Sequence, residues 1–111
     1  MNRKSYAAWA LIGTLAAGGT AYAQKPAVDG LALAKAQNCM SCHSVNRPVM
    51  GPALHDIAAK YAPRGDAATS YLSRKIVEGS TGVWGRVPMP ANTQLTPDQA
   101  VELANWILSL Q

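Results

Sequence analysis

The sequence contains no phenylalanine, only two cysteines and few charged side chains, which make up 14% of its 111 residues. Large apolar side chains are also scarce, because alanine accounts for many of the 49% of residues that are hydrophobic. A chain of this length forms one domain, which excludes a two-domain enzyme. With so few bulky residues, the domain would have a thin core by itself. We therefore expect another group to fill the interior.

Residues 1–23 have the organisation of a secretory signal peptide. A short basic start precedes an uncharged apolar stretch, and Ala-Tyr-Ala stands directly before Gln24. An uncleaved membrane anchor is the alternative, but glycines interrupt the apolar run before it reaches the roughly 20 residues that span a bilayer. We predict cleavage after Ala23. The mature domain, residues 24–111, would then lie in an oxidising compartment, the periplasm, without stable membrane insertion.

Basic residues outnumber acidic ones, with Lys+Arg 10 against Asp+Glu 6 and a net charge of +4. Cleavage after Ala23 removes Arg3 and Lys4, so the mature domain is closer to neutrality than the whole sequence. No run of lysines and arginines with interleaved aromatic residues is present in the sequence. The composition therefore argues against nucleic-acid binding.

Apolar residues recur at helical spacing in four stretches, and no strand-like alternation of useful length is present. The stretches are residues 27–38, 54–61, 67–78 and the segment from Pro97 onwards. Residues 80–95, which contain Pro88 and Pro90, are expected to form one irregular loop. The sequence therefore predicts a small all-α domain.

The ends of the helices carry local signals. Asp29 is placed to cap the first helix, and Gly79 to end the third. The segment Thr96-Pro97-Asp98-Gln99 is a capping-box start for the last helix. The predicted buried stripes are Leu54, Ile57, Ala58 and Tyr61 in the second helix, Ala68, Tyr71, Leu72 and Ile76 in the third, and Val101, Ala104, Ile107 and Leu108 in the last.

Both cysteines lie in the segment Cys39-Met40-Ser41-Cys42-His43. C-x-x-C-H is the attachment signature of c-type haem. Positions i, i+3 and i+4 of a helix share one face, so both cysteines can reach the vinyl edges of one porphyrin while the histidine points at its iron. A covalently bound haem would also supply the apolar surface that the core lacks. We therefore predict that the chain binds one haem c.

Three other uses of the cysteines are weaker. A thioredoxin-like dithiol requires a βαβ context, which the helical pattern does not provide. A disulfide between Cys39 and Cys42 would close a very small loop and stabilise the fold only weakly. A structural zinc ion requires four ligands, and only the distant His55 is left to complete the set.

The haem iron needs a second axial ligand, for which Met40, Met50, His55 and Met89 are the candidates. Met40 lies inside the attachment motif, and Met50 follows His43 by only seven residues. Both are therefore too close to the motif to reach the opposite face of the haem. The imidazole of His55 is expected on the second helix, partly exposed. Met89 stands between two prolines, which fix the backbone and lack N–H groups, so that one side chain is presented rigidly. This pattern favours Met89.

These motifs together identify a resemblance: the chain is similar to class I c-type cytochromes, specifically the small bacterial monohaem electron carriers of the cytochrome c-551 kind. The resemblance covers residues 28–111. The matching stretches are Cys-Met-Ser-Cys-His at 39–43, Gly-Pro-Ala at 51–53, Gly-Val-Trp-Gly at 82–85 and Pro-Met-Pro-Ala-Asn at 88–92, with the capped last helix. It implies a small cytochrome c fold, with about four helices wrapped around one covalently bound haem.

The resemblance also implies a role for individual residues. Cys39 and Cys42 would form the thioethers, and His43 and Met89 would be the axial ligands of the iron. The carbonyl of the residue matching Pro52 accepts the N–H of the histidine ring in such proteins, as metal-bound histidines require.

The resemblance places further residues around the edge of the haem. Trp84 matches a tryptophan that donates a hydrogen bond to a haem propionate, and Asn92 matches a residue near the methionine sulfur. Lys75 occupies the position of a basic propionate partner, although the adjacent Arg74 is an alternative.

The function implied is that of a periplasmic, monomeric electron carrier, not an enzyme, which passes single electrons between respiratory redox proteins. Two alternatives remain. Met89 could be displaced in a haem enzyme or gas sensor, or the chain could be a haem module of a larger complex, anchored through an uncleaved N-terminus.

A docking surface is also predicted around the haem edge. Arg47 follows the attachment segment and Arg86 precedes Met89 by three residues. Because both ligand segments approach the haem, we expect these arginines to flank its edge. The apolar contacts with a redox partner would come from Val45, Val49, Val87 and Pro88.

Overall fold

The computed structural model describes residues 29–111 together with Gly13, Gly18 and Gly19. The rest of the predicted signal peptide and its cleavage site lie outside the described residues. Residues 29–111 contain four α-helices: α1 (Gly30–Ala36), α2 (Leu54–Tyr61), α3 (Asp66–Glu78) and α4 (Pro97–Leu108). Two 3₁₀ turns, Cys39–Ser41 and Ala62–Arg64, lie after α1 and α2. The prediction of an all-α domain with about four helices is confirmed.

The predicted local signals begin and end these helices. The carboxylate of Asp29 accepts hydrogen bonds from Leu31 N–H at 3.1 Å and Ala32 N–H at 3.2 Å. At the start of α4, Gln99 N–H donates to Thr96 Oγ1 at 3.2 Å and Thr96 N–H donates to Gln99 Oε1 at 3.0 Å. The first helix is shorter than predicted and ends at Ala36. The prediction that Asp29 caps this helix is nevertheless confirmed, because capping depends on neighbours within one turn.

The core lies where α4 packs against each of the other three helices. The four predicted apolar residues of α2 are all buried. The larger buried side chains of the core are Leu54, Ile57, Tyr61, Leu72, Ile76, Leu95, Leu103 and Ile107. Alanines fill the remaining core positions, which lets the helices approach closely but adds little apolar area.

The predicted stripe of α4 is partly wrong. Val101 is 39% exposed and Leu108 is only partly buried, whereas Ala104 and Ile107 are in the core as expected. The buried residues of α4 are Ala100, Leu103, Ala104 and Ile107, which follow an i, i+3, i+4, i+7 spacing that begins one position earlier than the predicted stripe. Because apolar residues occupy both faces, the spacing alone did not decide which face meets α3.

The two terminal helices of the described chain meet at Gly30 and Trp106. A Cβ atom added to Gly30 would overlap with Trp106 Cγ, so only glycine allows α1 to approach the indole this closely. This contact holds the N-terminal start of α1 against α4. Within residues 29–111, no helix is long and apolar enough to cross a membrane.

Candidate functional site

A cavity of about 490 Å³ opens between the four helices and the long loop after α3. Its size lies within the range of about 300–1,000 Å³ that is usual for cofactor sites, and most of its lining is apolar. All eight residues predicted to contact the cofactor line this cavity: Cys39, Cys42, His43, Pro52, Lys75, Trp84, Met89 and Asn92. Four separate segments of the chain therefore converge on one site.

The attachment segment is a separate turn and not a continuation of α1. Asn38 adopts a left-handed conformation with φ 62°, which ends the helical path before the first cysteine. Cys42 N–H and His43 N–H both donate to Cys39 O, at 3.2 and 3.0 Å. The i, i+3, i+4 relation predicted from a helix thus exists within a single turn. It brings the two cysteines and the histidine to the same cavity.

Both cysteines are half-buried and remain as thiols, so the structure does not contain the disulfide considered as an alternative. Burial raises the pKa of the Cys39 thiol above its usual value, although a backbone hydrogen bond acts in the opposite direction. Both cysteines line the cavity, as attachment to one cofactor requires.

The imidazole of His43 is oriented by backbone atoms. His43 is 9% exposed, and Nδ1 of its ring lies 2.7 Å from Pro52 O. Because a carbonyl can only accept, Nδ1 carries the hydrogen, which leaves the lone pair of Nε2 available to a metal. A Cβ atom added to Gly51 would lie 2.6 Å from His43 Cε1, so the backbone also packs directly against the ring.

Met89 is held by a pair of backbone hydrogen bonds. Ser80 N–H donates to Met89 O at 3.0 Å, and Met89 N–H donates to Ser80 O at 2.8 Å. This isolated β-bridge lies within the segment that was expected to be irregular. The flanking Pro88 and Pro90 have no N–H, so Met89 supplies the amide donor of this three-residue segment. The bridge fixes the backbone of a side chain that lines the cavity.

The other three candidates for the axial ligand are less well placed. Met50 lines the cavity but is 61% exposed. Met40 packs against the helical core, and His55 is exposed on α2. Neither Met40 nor His55 is among the residues that line the cavity.

Asn92 is held by backbone carbonyl groups. Its side-chain Nδ2 donates to Ile76 O at 2.9 Å and to Pro90 O at 3.4 Å. Its backbone N–H is shared between Ile76 O and Val77 O, at 3.2 and 3.1 Å. The residue that the resemblance placed near the methionine sulfur thus also joins the Met89 segment to the end of α3.

Lys75 and Arg74 point to different parts of the surface. Lys75 lines the cavity, and its Nζ lies 5.6 Å from the ring centroid of Tyr71. Arg74 instead lines a second, shallow hollow beside α4. Of these two residues, Lys75 is therefore the one that can reach a group in the cavity.

A cluster of cations and aromatic rings borders the cavity and was missed from the sequence. Lys60 Nζ lies 4.9 Å from the ring centroid of Trp84, which is 42% exposed. The Arg64 guanidinium lies 4.8 Å from the Tyr61 ring and 5.1 Å from the Tyr71 ring. Burial, together with the neighbouring Tyr71, raises the pKa of Tyr61. No short motif in the sequence signals this cluster, because its contacts join Lys60 to the distant Trp84 and Arg64 to Tyr71 on α3.

These residues fit a haem. The large, mostly apolar cavity suits a macrocycle, two thiols are available for covalent attachment, and Nε2 of His43 can bind iron. A family model described as cytochrome c matches residues 27–111. The chain belongs to the cytochrome c family. More specifically, it is a class I c-type cytochrome of the c-551 type.

Individual relatives agree with this assignment. Cytochrome c-552 of Nitrosomonas europaea is 51% identical over 104 residues, which cover 94% of this chain and 97% of that protein. Cytochrome c-551 of Pseudomonas aeruginosa is 43% identical over 108 residues, 96% of this chain and 97% of that protein. The crystal structure of wild-type Nitrosomonas europaea cytochrome c552 is similar with a TM-score of 0.70 and 53% identity, and the match covers 73% of this chain and 99% of that one.

Membership of the family establishes the cofactor and the general function. The cytochrome carries one covalently attached haem c, for which Cys39 and Cys42 have the required spacing. It is a monohaem electron-transfer protein and not an enzyme. Its partners are therefore redox proteins.

Proposed function

We propose that this cytochrome is a periplasmic carrier of single electrons between respiratory redox proteins, with its iron bound by His43 Nε2 and Met89 Sδ. The observation that carries the proposal is the convergence of these two residues on one cavity, His43 held by a hydrogen bond from its ring and Met89 by hydrogen bonds of its backbone. When bound, the haem supplies a one-electron couple between Fe(II) and Fe(III). The protein residues hold the ligands in place and keep water away from the iron.

The two ligands are prepared in different ways. The hydrogen bond from Nδ1 to Pro52 selects the tautomer in which Nε2 carries a lone pair, and it fixes the plane of the ring. The Ser80 bridge fixes the backbone of Met89. Methionine and histidine together raise the reduction potential relative to other axial pairs. If His43 and Met89 both bind the iron, they would leave it no open position for a substrate.

The cationic side of the cavity suits the carboxylates of a haem. Lys75 and Trp84 line the cavity and are proposed to contact the propionates, Trp84 by donating its indole N–H. Lys60 lies over the Trp84 ring, and Arg64 lies over Tyr61 and Tyr71, so two further positive charges are close by. Positive charge favours the ionised form of a carboxylate.

The proposed location depends on the N-terminal segment. Residues 1–23 combine a basic start, an apolar stretch and Ala-Tyr-Ala before Gln24, which is the pattern of an exported precursor. We propose cleavage after Ala23 and release of a monomeric domain, residues 24–111, into the periplasm.

The proposed docking surface surrounds the mouth of the cavity. Val83, Trp84 and Val87 line the cavity and are 42%, 42% and 59% exposed. Val49 is 56% exposed in the segment that joins the attachment turn to α2, and Pro88 is exposed beside Met89. Arg47 and Arg86 are both exposed in the same two segments. Positive charges at the border of an apolar surface would accelerate encounters with an acidic partner.

A redox titration of the purified periplasmic protein, followed by absorbance, tests the proposed function. We expect a single one-electron transition, with the spectra of methionine-ligated haem in both states and slow binding of carbon monoxide to the reduced protein. Rapid carbon monoxide binding by the unaltered protein would show an open coordination site and would contradict the axial role of Met89.

A further inference from the structure

The C-terminal end of α3 contacts the backbone of the Met89 segment directly. Gly79, which follows the last residue of α3, has φ 83° and ψ 176°, a conformation that is essentially restricted to glycine. A Cβ atom added there would lie 2.6 Å from Met89 O and 3.0 Å from Ala91 N. Glycine is therefore required twice at this position, for its own backbone and for the space that Met89 occupies.

Two hydrogen bonds continue this contact at the next residue. Ser80 and Met89 exchange backbone hydrogen bonds of 3.0 and 2.8 Å. Because the residues on both sides of Met89 are prolines, the amide of Met89 is the donor through which its three-residue segment can be held. The position of this segment is thus determined by where α3 ends.

Asn92, shortly after Met89, in turn donates hydrogen bonds to backbone carbonyls at the end of α3. The last four carbonyls of an α-helix have no partner within the helix. Asn92 N–H and Asn92 Nδ2 donate to Ile76 O, and the backbone N–H is also shared with Val77 O. The end of α3 and the loop therefore stabilise each other through hydrogen bonds at Met89 itself and at Asn92, three residues later.

We infer that the end of α3 positions the sulfur of Met89 and that Gly79 is the residue on which this depends. We call Gly79, Ser80 and Asn92 the α3 clamp. The inference rests on the proposed axial role of Met89. A displaced clamp would move the backbone of Met89 without changing its side chain. The sulfur would then spend more time away from the iron, and an added ligand would compete more easily.

The test compares Gly79→Ala with Gly65→Ala in the holoprotein. Gly65 stands at the other end of α3, has φ 60° and ψ −136°, and has open space around an added Cβ. Both substitutions strain a glycine conformation, but only Gly79→Ala displaces Met89. We expect Gly79→Ala to tighten imidazole binding to the ferric protein about tenfold relative to Gly65→Ala, because the binding-competent population rises. The charge-transfer absorption of methionine-ligated ferric haem should weaken in parallel.

A second pair keeps the test decisive if Gly79→Ala does not yield folded holoprotein. Ser80→Pro removes the N–H that donates to Met89 O, whereas Ser80→Ala leaves the backbone bridge in place. Ser80→Pro should tighten imidazole binding and Ser80→Ala should not. Equal imidazole affinity within each pair of folded variants would overturn the clamp.

Met89→Ala separates failure of the clamp from failure of the axial assignment. If Met89→Ala opens the sixth position while Gly79→Ala behaves like Gly65→Ala, the assignment stands and the clamp is wrong. If Met89→Ala leaves the charge-transfer absorption unchanged, Met89 is not the ligand, and both proposals are overturned.

Discussion

His43 and Pro52 are joined by a hydrogen bond of 2.7 Å, from Nδ1 of the imidazole to the backbone carbonyl. The intervening backbone comes close to the same ring, because Gly51 N–H donates to Cys42 O at 2.8 Å. The orientation of the histidine is thus determined by main-chain atoms on either side of one peptide bond. Substitutions that move this backbone should therefore change the orientation of the His43 imidazole, although the side chain itself is unaltered.

Gly51→Ala tests this relationship. The added methyl group would lie 2.6 Å from His43 Cε1, so either the ring or residues 51–52 must shift. Overpacking of this kind is expected to lower the free energy of unfolding by about 1–3 kcal/mol. Denaturant unfolding of the holoprotein measures it, with the exposed Asn46→Ala in the same segment as the control. Equal stability of the two variants would show that the segment adapts without strain.

Replacement of Cys39 and Cys42 by alanine should abolish covalent haem and leave a largely unfolded chain. The reason is that the helices surround a cavity of about 490 Å³, while alanines fill much of the core. Far-UV circular dichroism and haem staining of denatured protein measure the two effects. Ser41→Ala, between the cysteines and exposed, is the control. A stable, helical, haem-free double variant would show that the polypeptide folds without its cofactor.

Met89→Ala should leave haem attached, open the sixth position and lower the reduction potential, because the thioether is the ligand that raises it. Imidazole and carbon monoxide should then bind readily, as measured by absorbance titration. Met50→Ala and His55→Ala are the controls, since Met50 is mostly exposed and His55 does not line the cavity. An open position in either of those variants, but not in Met89→Ala, would reassign the ligand.

The exported protein should begin at Gln24. Signal peptidases recognise small residues at the positions that Ala21 and Ala23 occupy. The intact mass of the protein from a periplasmic extract measures the cleavage position. Retention of residues 1–23 in a membrane fraction would support an anchored haem module instead.

Changing Arg47 and Arg86 to glutamate should slow electron transfer to a natural partner at low ionic strength, while the potential and stability stay almost unchanged. Exposed charges at the rim of an interface act mainly on the association rate. The difference should shrink at high salt, where screening shortens the range of the field. Stopped-flow kinetics measure the rates. The control with the same change of charge is Lys35→Glu with Arg74→Glu, which are exposed on α1 and α3, outside the two loop segments that carry Arg47 and Arg86. Equal rates for both double variants would exclude a specific role of the two arginines.

The features that were predicted correctly depend on short stretches of sequence. The capping box of Thr96 and Gln99 and the cap by Asp29 need only neighbours within one turn. The C-x-x-C-H motif is equally local, because thioether attachment and iron ligation by adjacent residues require that spacing. These signals were sufficient to predict the helical fold and the cofactor.

The features that were missed depend on contacts between distant residues. The bridge between Ser80 and Met89 joins two positions of a proline-containing loop. The alternation of apolar and polar residues that would predict a strand is absent there. The position of Arg64 over Tyr71 depends on how the 3₁₀ turn Ala62–Arg64 packs against α3. The face of α4 that is buried was misassigned because apolar residues occupy both candidate faces, and only packing against α3 distinguishes Ala100 from Val101.

The contact between Gly30 and Trp106 brings the start of the described chain beside its end. The order in which the segments are connected is therefore not dictated by their arrangement in space. A short linker from Gln111 to Asp29 would preserve this contact, and the chain could be opened instead at the exposed Gly65. Such a circular permutant would begin with the half that carries Met89 and end with the half that carries Cys39, Cys42 and His43. The half that carries Met89 would then be synthesised before the half that carries the attachment motif, and both would still enclose the haem.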